Sequence, residues 1–361
     1  MRPARAPDGK PEKLTTNPVP LNPRPTAARE GGARPRTAYA YASRTPDRRP
    51  HRNHMPPRSR TPRPERWTEH TVTPDEAGRT LQELLTGPMG VSGRMIQRLT
   101  RSNGIRVNRK PGFLAAKVRA GDVVAVRLAA PEESSLVPEA MELSVVHEDA
   151  DVMVLDKPPY LFVHPTAPGQ TGTLAHGIAH HWLAAGLQAK VRPVHRLDRD
   201  TSGLLLVAKT SYAHQHLDRQ LRERTLRRTY QAFVRGRVEQ EEGTIDAPIG
   251  RHRANASLRA VRPDGEPAVT HWRVLERFRD ATLLQVELDT GRTHQIRVHL
   301  AHLGHPVLGD RQYNSGDRAP VRRQALHASA ISFAHPATGE AMAFEAPLPA
   351  DLASLREALA R

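Results

Sequence analysis

The sequence predicts an α+β fold in which a mixed, largely antiparallel central sheet is flanked by helices. Strand-like runs of Val, Ile and Leu outnumber helix-like segments, and many runs are separated by turns too short for a crossover helix. The chain has 361 residues, which at roughly 100–200 residues per domain allows two folded units. We therefore expect a small α+β domain followed by a larger one that contains the central sheet.

The first 65 residues differ in composition from the rest. They hold 15 Lys or Arg, 5 Asp or Glu and 14 of the 32 prolines, which places +10 of the net charge of +16 in this segment. So few aliphatic side chains cannot offset the entropy lost on ordering, and we expect a disordered basic arm. Binding to a polyanion is one interpretation, because neutralised phosphates release counterions. A solubilising tail, or a later translation start at Met55, is the other.

A small domain is predicted at residues 66–130, with two short helices followed by strands at residues 105–108 and 123–126. Ser92 is the expected N-cap of the second helix. One face of this helix is apolar, and the other carries three arginines: Arg94, Arg98 and Arg101. From the residues alone, these arginines are either a solvated surface or an RNA contact.

A linker at residues 131–141 is expected to lead into the larger domain at residues 142–350. Its strands are predicted at residues 143–146, 152–155, 204–208, 229–234, 283–288 and 331–333, and its helices at residues 174–183, 213–224 and 294–303. Residues 351–361 are expected to form a terminal helix or tail.

Composition excludes several kinds of site. The chain has no cysteine, which rules out disulfides, thiolate metal ligands and a cysteine nucleophile. It also lacks an apolar segment of the roughly 18 residues that a membrane span needs. We expect a cytoplasmic protein with no membrane contact.

A polar cluster runs directly into a buried-looking strand at residues 194–208, VHRLDRDTSGLLLVA. Side chains at the mouth of a strand are held on a rigid backbone, which suits a catalytic group such as Asp198. A charged turn that enters a core strand explains the same pattern, and physical reasoning alone favours that interpretation.

A second cluster lies at residues 290–310, TGRTHQIRVHLAHLGHPVLGD. Thr293 is the expected cap of a helix that ends near Gly304, with Ile296, Leu300 and Leu303 turned to the core and Arg297 near the opposite side. Four histidines in this segment suggest zinc: His294, His299, His302 and His305. Their spacings of five, three and three residues do not give the two-turn zinc pair, and we expect no metal.

A third pattern, RTYQAFVRG at residues 228–236, reads as a strand with Tyr230 inside it. A tyrosine ring can stack on a base while its hydroxyl handles a proton. A tyrosine packed in the core is the more common outcome for such a position.

Together these segments resemble the RluA-type RNA pseudouridine synthases, whose signatures are HRLD-x-x-TSGLLL-x-A, TGRTHQIRVHL and K-x-Y-x-A-x-V-x-G. The resemblance spans about residues 141–349 and implies a pseudouridine synthase-like sheet. It implies that Asp198 is the catalytic nucleophile, that Arg297 keeps its carboxylate ionised, and that Tyr230 is the active-site tyrosine. His195, Arg196 and Arg292 are expected to contact RNA.

Two positions depart from the family pattern. Tyr160 stands where the family usually has glycine, so the loop is expected to avoid a backbone conformation that only glycine adopts. Arg228 also replaces the usual lysine, which is a mild change.

Residues 75–130 are similar to the small S-four-type RNA-binding domain, which implies RNA contact by Arg94, Arg98 and Arg101. The resemblances imply an isomerase of uridine in structured RNA, with ribosomal RNA of the large subunit ahead of transfer RNA. The reaction needs no cofactor, because nothing is oxidised and no group enters or leaves. A monomer is expected. The alternatives are a non-catalytic RNA-binding or ribosome-assembly factor and, less in keeping with a basic chain, a retaining glycosidase that uses Asp198 and Asp200.

Overall fold

The computed structural model describes residues 66–128, 134–187, 189–315 and 319–361. The predicted basic arm at residues 1–65 lies outside the described residues. In the part of the chain that is described, no helix combines the length and apolar character required to span a bilayer.

Four antiparallel strands and two helices form a small unit at the start of the described chain. The strands are β1 (Trp67–Thr71), β2 (Ile105–Val107), β3 (Lys110–Pro111) and β4 (Val123–Arg127), in the order β1-β4-β2-β3, and the helices are α1 (Leu81–Thr86) and α2 (Gly93–Arg101). Ser92 caps α2 as expected, since its hydroxyl accepts a hydrogen bond from the Met95 amide at 3.3 Å. Leu81, Leu84 and Leu99 belong to a core that this unit largely builds for itself.

The larger unit is built on one long sheet. Its strands are β5 (Val145–Glu148), β6 (Val152–Lys157), β7 (Arg192–Pro193), β8 (Ser202–Ala208), β9 (Arg227–Arg235), β10 (Glu242–Asp246), β13 (Val269–Arg277), β14 (Ala281–Leu288), β15 (Leu326–Ala334) and β16 (Ala341–Glu345). The main path runs β10-β13-β14-β9-β15-β8-β6-β5, with β7 beside β8 and β16 beside β15. Strands β11 (Ile249–His252) and β12 (Asn255–Val261) form a separate hairpin.

Four helices accompany this sheet: α3 (Leu174–Ala184), α4 (Ser211–Arg222), α5 (Gln295–His302) and α6 (Ala350–Leu359). The described strand pairs of the sheet are antiparallel except β8 with β15, which run parallel. The mixed, largely antiparallel α+β prediction is therefore confirmed. Residues 351–361, predicted as a helix or tail, lie almost wholly in α6.

The central strand β8 shows why the sheet has two buried faces. All seven of its residues are buried. Because side chains alternate along a strand, Leu205 and Val207 enter a core with α3 and α6, whereas Leu204 and Leu206 enter a second core with α4. Gly203, at φ +109°, lets β15 approach closely, since a Cβ there would lie 2.2 Å from the carbonyl oxygen of Ala328.

Helix α4 also contacts the small unit. Tyr212 is buried in the small unit's core, and the Ser92 amide donates to the Gln215 side chain at 3.0 Å. A further ion pair joins Arg66 to Asp151, with an Nη2–Oδ2 distance of 2.6 Å. The small unit therefore packs directly on the helix that covers one face of the main sheet.

Candidate active site

A wide cleft of about 1610 Å³ opens where the β7–β8 turn, strand β9 and the loops around α5 meet. Its lining carries ten cationic side chains and three carboxylates. The cations are Lys190, Arg192, Arg196, Arg199, Arg228, Arg292, Arg297, Arg311, Arg322 and Arg323, and the acids are Asp198, Asp200 and Asp310. Arg297 and Arg323 are buried and paired with carboxylates, but the other cations still leave an excess of positive charge, which favours a polyanionic ligand and raises its local concentration.

Asp198 lies in the turn between β7 and β8. The turn is closed by a hydrogen bond from the Thr201 amide to the Asp198 carbonyl, at 3.1 Å, and the buried strand β8 begins at the next residue. The Asp198 side chain is 28% exposed, and this exposure faces the cleft. The carboxylate is thus fixed by backbone structure and still accessible to a ligand.

Arg297 contacts this carboxylate directly. Its Nη1 donates to Asp198 Oδ2 at 3.0 Å, although 99 residues separate the two in sequence. The rest of the guanidinium is bound by Asp310, through Nε to Oδ2 at 2.6 Å and Nη2 to Oδ1 at 2.8 Å. Burial alone would lower the pKa of Arg297, but the hydrogen bonds and charge of Asp310, followed by those of Asp198, raise it above its ordinary value. A permanently charged guanidinium therefore bridges two carboxylates.

Two more residues restrict the position of Arg297. Gln312 accepts from Nη2 at 2.6 Å, and the guanidinium carbon lies 4.9 Å from the centre of the Tyr313 ring. The Tyr313 hydroxyl is 2.8 Å from Nδ1 of His294. Arg297 is 5% exposed in consequence, so its contact with Asp198 is set by the surrounding protein rather than by solvent.

The start of helix α5 differs from the sequence prediction. The helix begins at Gln295, and the residue before it is His294, which lies in the left-handed region at φ +59°; Thr293 is not the cap. The Gln295 side chain instead attaches the start of the helix to its surroundings, because its Oε1 accepts from the Arg292 amide at 2.9 Å and its Nε2 donates to the Val269 carbonyl at 2.9 Å. Leu303 is also 37% exposed rather than turned to the core.

The histidines of this segment face different partners. His299 bonds Thr270 Oγ1 and the Ala247 carbonyl, and His305 bonds the Arg235 carbonyl. His294 lies 4.0 Å from Asp198 Oδ2; burial lowers its pKa, and the Asp198 charge opposes that shift. Among the described residues, the candidate metal-ligand group is elsewhere and consists of Asp149, Asp151 and His335.

That group is occupied by protein partners. Asp151 forms two hydrogen bonds with Arg66, and Nδ1 of His335 accepts from the Thr338 amide at 3.1 Å. A histidine whose Nδ1 accepts carries its proton on Nε2, and this Nε2 lies 3.2 Å from Asp149 Oδ2. Asp149 and Asp151 are thus satisfied by hydrogen bonds within the protein, whereas His335 Nε2 lies near Asp149 without a hydrogen bond of suitable geometry.

Below Asp198 the cleft has a buried floor of Tyr230, Arg228 and His195. Burial raises the pKa of the Tyr230 hydroxyl, with a smaller contribution in the same direction from the Asp198 charge and an opposing one from Arg228. Burial, and then the nearby Arg228 charge, lowers the pKa of His195 to about 3. His195 Nε2 accepts from the Leu206 amide at 3.3 Å. The His195 side chain is 6% exposed, and this bond joins it to β8; its contact with RNA stays a prediction.

The other expected RNA contacts are exposed. Arg196 lies on the surface of the cleft, and Arg292 pairs with Glu266 and donates to the Pro267 carbonyl at 3.1 Å. On α2, all three arginines are exposed, and Arg98 also donates to Ser211 Oγ of α4 at 3.0 Å. Asp200 pairs with its neighbour Arg199.

The loop at Tyr160 overturns another prediction. Tyr160 adopts φ +64°, the left-handed conformation that this loop is expected to avoid. Beneath the loop, the buried Nζ of Lys157 donates to the carbonyls of Pro158, Leu161 and Arg199 at 2.8, 3.0 and 3.0 Å. These bonds fix the loop against the Asp198 turn, and the strain at Tyr160 is borne by the surrounding structure.

The sequence alone assigns no role to Asp310, Gln312, Tyr313 or His294, all of which surround Arg297 or Asp198. The signal is present in part, because Asp310 ends the second motif and a Gln-Tyr pair follows after one intervening residue. A spacing of 13 residues from Arg297 does not indicate a bidentate ion pair. Only the return of the chain after α5 brings these side chains together.

Comparison with known proteins agrees with this geometry. Residues 151–302 match the family model described as RNA pseudouridylate synthase. The chain is 43% identical over 295 residues to the uncharacterized RNA pseudouridine synthase YhcT of Bacillus subtilis, a match that covers 80% of this chain and 96% of that protein. The chain belongs to the RNA pseudouridine synthase family.

Further relatives carry more specific names. The ribosomal large subunit pseudouridine synthase D of Pasteurella multocida is 41% identical, over 73% of this chain and 84% of that one. The solved structure of human RNA pseudouridylate synthase domain containing 1 is 27% identical, covers 60% of this chain and 94% of that one, and gives a TM-score of 0.49. On the strength of the curated relatives, this RNA pseudouridine synthase is an isomerase that acts on RNA, and the alternative of a non-catalytic RNA-binding factor is not supported. The S-four-like assignment of residues 66–130 stays a prediction.

Proposed function

We propose that this enzyme isomerises specific uridines in structured RNA, most of all in large-subunit ribosomal RNA, with Asp198 as the nucleophile. The observation that carries the proposal is the contact between Asp198 and Arg297, in which the guanidinium is held from its other side by Asp310. A carboxylate next to a fixed positive charge stays ionised and points in one direction, as a nucleophile requires. The names of the relatives favour ribosomal RNA.

The reaction breaks the bond from C1′ to N1, turns the uracil, and joins C5 to C1′. Asp198 acts at the sugar while the detached uracil is retained. Tyr230, in the floor of the same cleft, stacks on the base. Because burial raises the pKa of its hydroxyl, the group is protonated at neutral pH and can donate to the base. C5 loses its proton when it joins C1′, and N1, freed by the cleavage, gains one, with the Tyr230 hydroxyl as the relay. Atoms balance without an added group, and the chemistry calls for no cofactor.

The target uridine must leave its stack to reach the cleft. That step costs a few kcal/mol in a duplex and less in a loop. The basic lining of the cleft, with Arg196 and Arg292 at its surface, binds the backbone on either side of the target. Helix α2 adds Arg94, Arg98 and Arg101, which suits a large structured RNA better than a short one. We propose that the enzyme works as a monomer.

The test of catalysis is Asp198→Asn in a tritium-release assay on RNA labelled at C5 of uridine. Release should become undetectable, while the Kd for RNA stays within about twofold, because the amide has nearly the shape of the carboxylate. Asp200→Asn is the matched control on the same turn and should retain activity within a few fold. Release by Asp198→Asn near the wild-type rate would remove Asp198 as nucleophile.

The test of the substrate is a map of pseudouridines in ribosomal and transfer RNA from a strain that lacks this protein. We expect a site to be lost from large-subunit ribosomal RNA and to return on complementation with the wild type but not with Asp198→Asn. Loss confined to transfer RNA would overturn the proposed substrate and leave the isomerase assignment intact.

A further inference from the structure

The backbone of the Asp198 turn is held by buried side-chain nitrogen donors on two sides. The Arg199 carbonyl accepts from Nζ of Lys157 at 3.0 Å, on the side of β6. The next carbonyl, that of Asp200, accepts from Nη1 of Arg323 at 3.1 Å, on the side of β15. A backbone carbonyl buried without a donor costs free energy, so these bonds determine where the turn, and with it Asp198, comes to rest.

Arg323 has a side chain that is 0% exposed, and all three of its nitrogens are used. Besides the Asp200 carbonyl, Nη1 donates to the carbonyls of Gln324 at 3.4 Å and Leu326 at 3.3 Å. Its Nε and Nη2 donate to Asp351 Oδ2 and Oδ1 at 2.7 and 2.9 Å. A guanidinium is always charged, and a buried one needs a carboxylate beside it.

Asp351 is that carboxylate, and it lies in the first turn of helix α6. Burial opposes ionisation of Asp351, but the hydrogen bonds and charge of Arg323 lower its pKa. The helix is itself anchored, because Leu352 and Leu355 are buried in the main core. A continuous series of contacts therefore runs from α6 through Asp351 and Arg323 to the turn that carries Asp198.

We infer that Asp351 and Arg323 form a positioning pair for Asp198, which makes helix α6 a working part of the active site. The inference rests on the proposed role of Asp198. Neither residue reaches the reacting atoms. Asp351 holds the Arg323 guanidinium in place, and the guanidinium in turn holds the Asp200 carbonyl, two residues from the nucleophile. Another hydrogen bond works in the same sense: Nε2 of Gln324 donates to Oγ1 of Thr201 at 3.2 Å.

A purely structural role for the pair predicts different behaviour. If the ion pair only stabilised the fold, its loss would lower the melting temperature and leave kcat of the folded enzyme unchanged. If it positions Asp198, its loss lowers kcat below the melting temperature and leaves the Kd for RNA unchanged. A displacement of about 1 Å at a reacting group is enough to cost up to about a hundredfold in rate.

Helix α6 offers a matched control. Arg356 on the same helix pairs with Glu276 of β13, with an Nε–Oε2 distance of 2.7 Å, and its side chain is 54% exposed. Glu276→Gln removes one ion pair of α6, as Asp351→Asn does, but three strands of the sheet lie between β13 and the strand β8 that follows the Asp198 turn. The two variants therefore differ in one respect: only the pair broken in Asp351→Asn is joined by hydrogen bonds to the turn that carries Asp198.

The experiment measures single-turnover kcat, the Kd for RNA and the melting temperature of Asp351→Asn, Asp351→Glu and Glu276→Gln, with tritium release assayed well below each melting temperature. In Asp351→Asn the amide oxygen can accept from only one of Nε and Nη2, and the amide NH₂ then faces the other nitrogen, which is also a donor, so the guanidinium must move. We expect kcat to fall about tenfold or more with Kd within about twofold. Asp351→Glu, which keeps the carboxylate, should lose less, and Glu276→Gln should stay within about twofold.

A kcat for Asp351→Asn within about twofold of wild type would overturn the inference, as would an equal loss in Glu276→Gln or a loss confined to RNA affinity. If Asp351→Asn is not recovered folded, Asp351→Glu and Arg323→Lys serve the same comparison, since Lys keeps the charge but not the fork. Asp198→Asn separates the two proposals. Activity in Asp198→Asn refutes the nucleophile, whereas an inactive Asp198→Asn beside a fully active Asp351→Asn refutes only the positioning pair.

Discussion

Helix α2 and the Asp198 turn both depend on arginines, in opposite physical environments. On α2, Arg94, Arg98 and Arg101 are exposed to water, where charges are screened over about 10 Å. At the turn, Arg297 and Arg323 are buried, and each is bound by at least one carboxylate. Exposed arginines act through number and long-range attraction. Buried ones act through position, and the loss of a single partner leaves an uncompensated charge.

The largest effect is expected from Arg297→Met. This change leaves Asp310, whose side chain is 0% exposed, without its bidentate partner and removes the positive charge beside Asp198. Breaking a buried pair in this way costs about 3–5 kcal/mol of stability. We expect kcat to fall by roughly a thousandfold or more. Urea unfolding and tritium release measure the two effects, and a kcat within about tenfold of wild type would contradict the buried-charge account.

Next in size is Tyr230→Phe. The ring and its packing in the core remain, but the hydroxyl that we propose donates to the base is lost. We expect kcat to fall about 10²–10⁴-fold, as for the loss of a group that transfers a proton, with the Kd for RNA nearly unchanged. Single-turnover tritium release at saturating enzyme measures this directly. An unchanged kcat would leave Tyr230 as a packing residue only.

His195→Gln tests burial through pH. The pKa of His195 in the folded protein is about 3, against an ordinary value of 6.5, so the unfolded chain binds more protons between these values. The His195 contribution to stability is therefore present above about pH 6.5 and is lost as pH falls toward 3. Glutamine keeps an acceptor and does not titrate. Between pH 7 and about pH 4, the free energy of unfolding of the wild type, measured with urea, should fall by a few kcal/mol more than that of the variant. If the two proteins lose stability in parallel as the pH falls, this account is contradicted.

The smallest effect per residue is expected on α2, in Arg94→Glu with Arg101→Glu. These two are preferable to Arg98, which also bonds Ser211 of α4. RNA affinity should weaken, and the slope of log K against log salt should shrink by about 0.7–0.9 for each phosphate that the variant no longer neutralises, with kcat at saturation unchanged. Arg237→Glu with Arg279→Glu, two exposed arginines of the β9–β10 and β13–β14 connections, makes the same change in net charge. Equal effects in both pairs would mean that total charge, not α2, binds the RNA.

The contrast between buried and exposed residues also decides which parts of the fold the sequence predicts. The sequence predicts strands β8 and β9 because they are long runs of largely buried residues. It does not predict β10 and β12, because their residues are mostly exposed or half-buried and show no clean alternation. An element whose stability comes from its neighbours leaves little trace in its own sequence.

The site divides in a similar way. Motifs identify Asp198, Arg297 and Tyr230, and the structure brings all three into one cleft. Ion pairs across long stretches of chain, such as Asp351 with Arg323 or Asp310 with Arg297, have no local pattern. The prediction for Tyr160 fails for the same reason, since the hydrogen bonds that Lys157 gives to the loop, and not the residue at position 160, fix the backbone there.

The parallel pairing of β8 with β15 determines how late in synthesis the chain can become an active enzyme. Ser202 lies beside His327, 125 residues later, and Gly203 lies against the backbone of Ala328. Pairings over such distances form late, because the intervening chain must first exist and close. A nascent chain long enough to include Asp198 and Tyr230 still lacks the strand that seats the turn. The growing polypeptide thus contains the α2 arginines, which we propose bind RNA, well before it gains a finished catalytic centre.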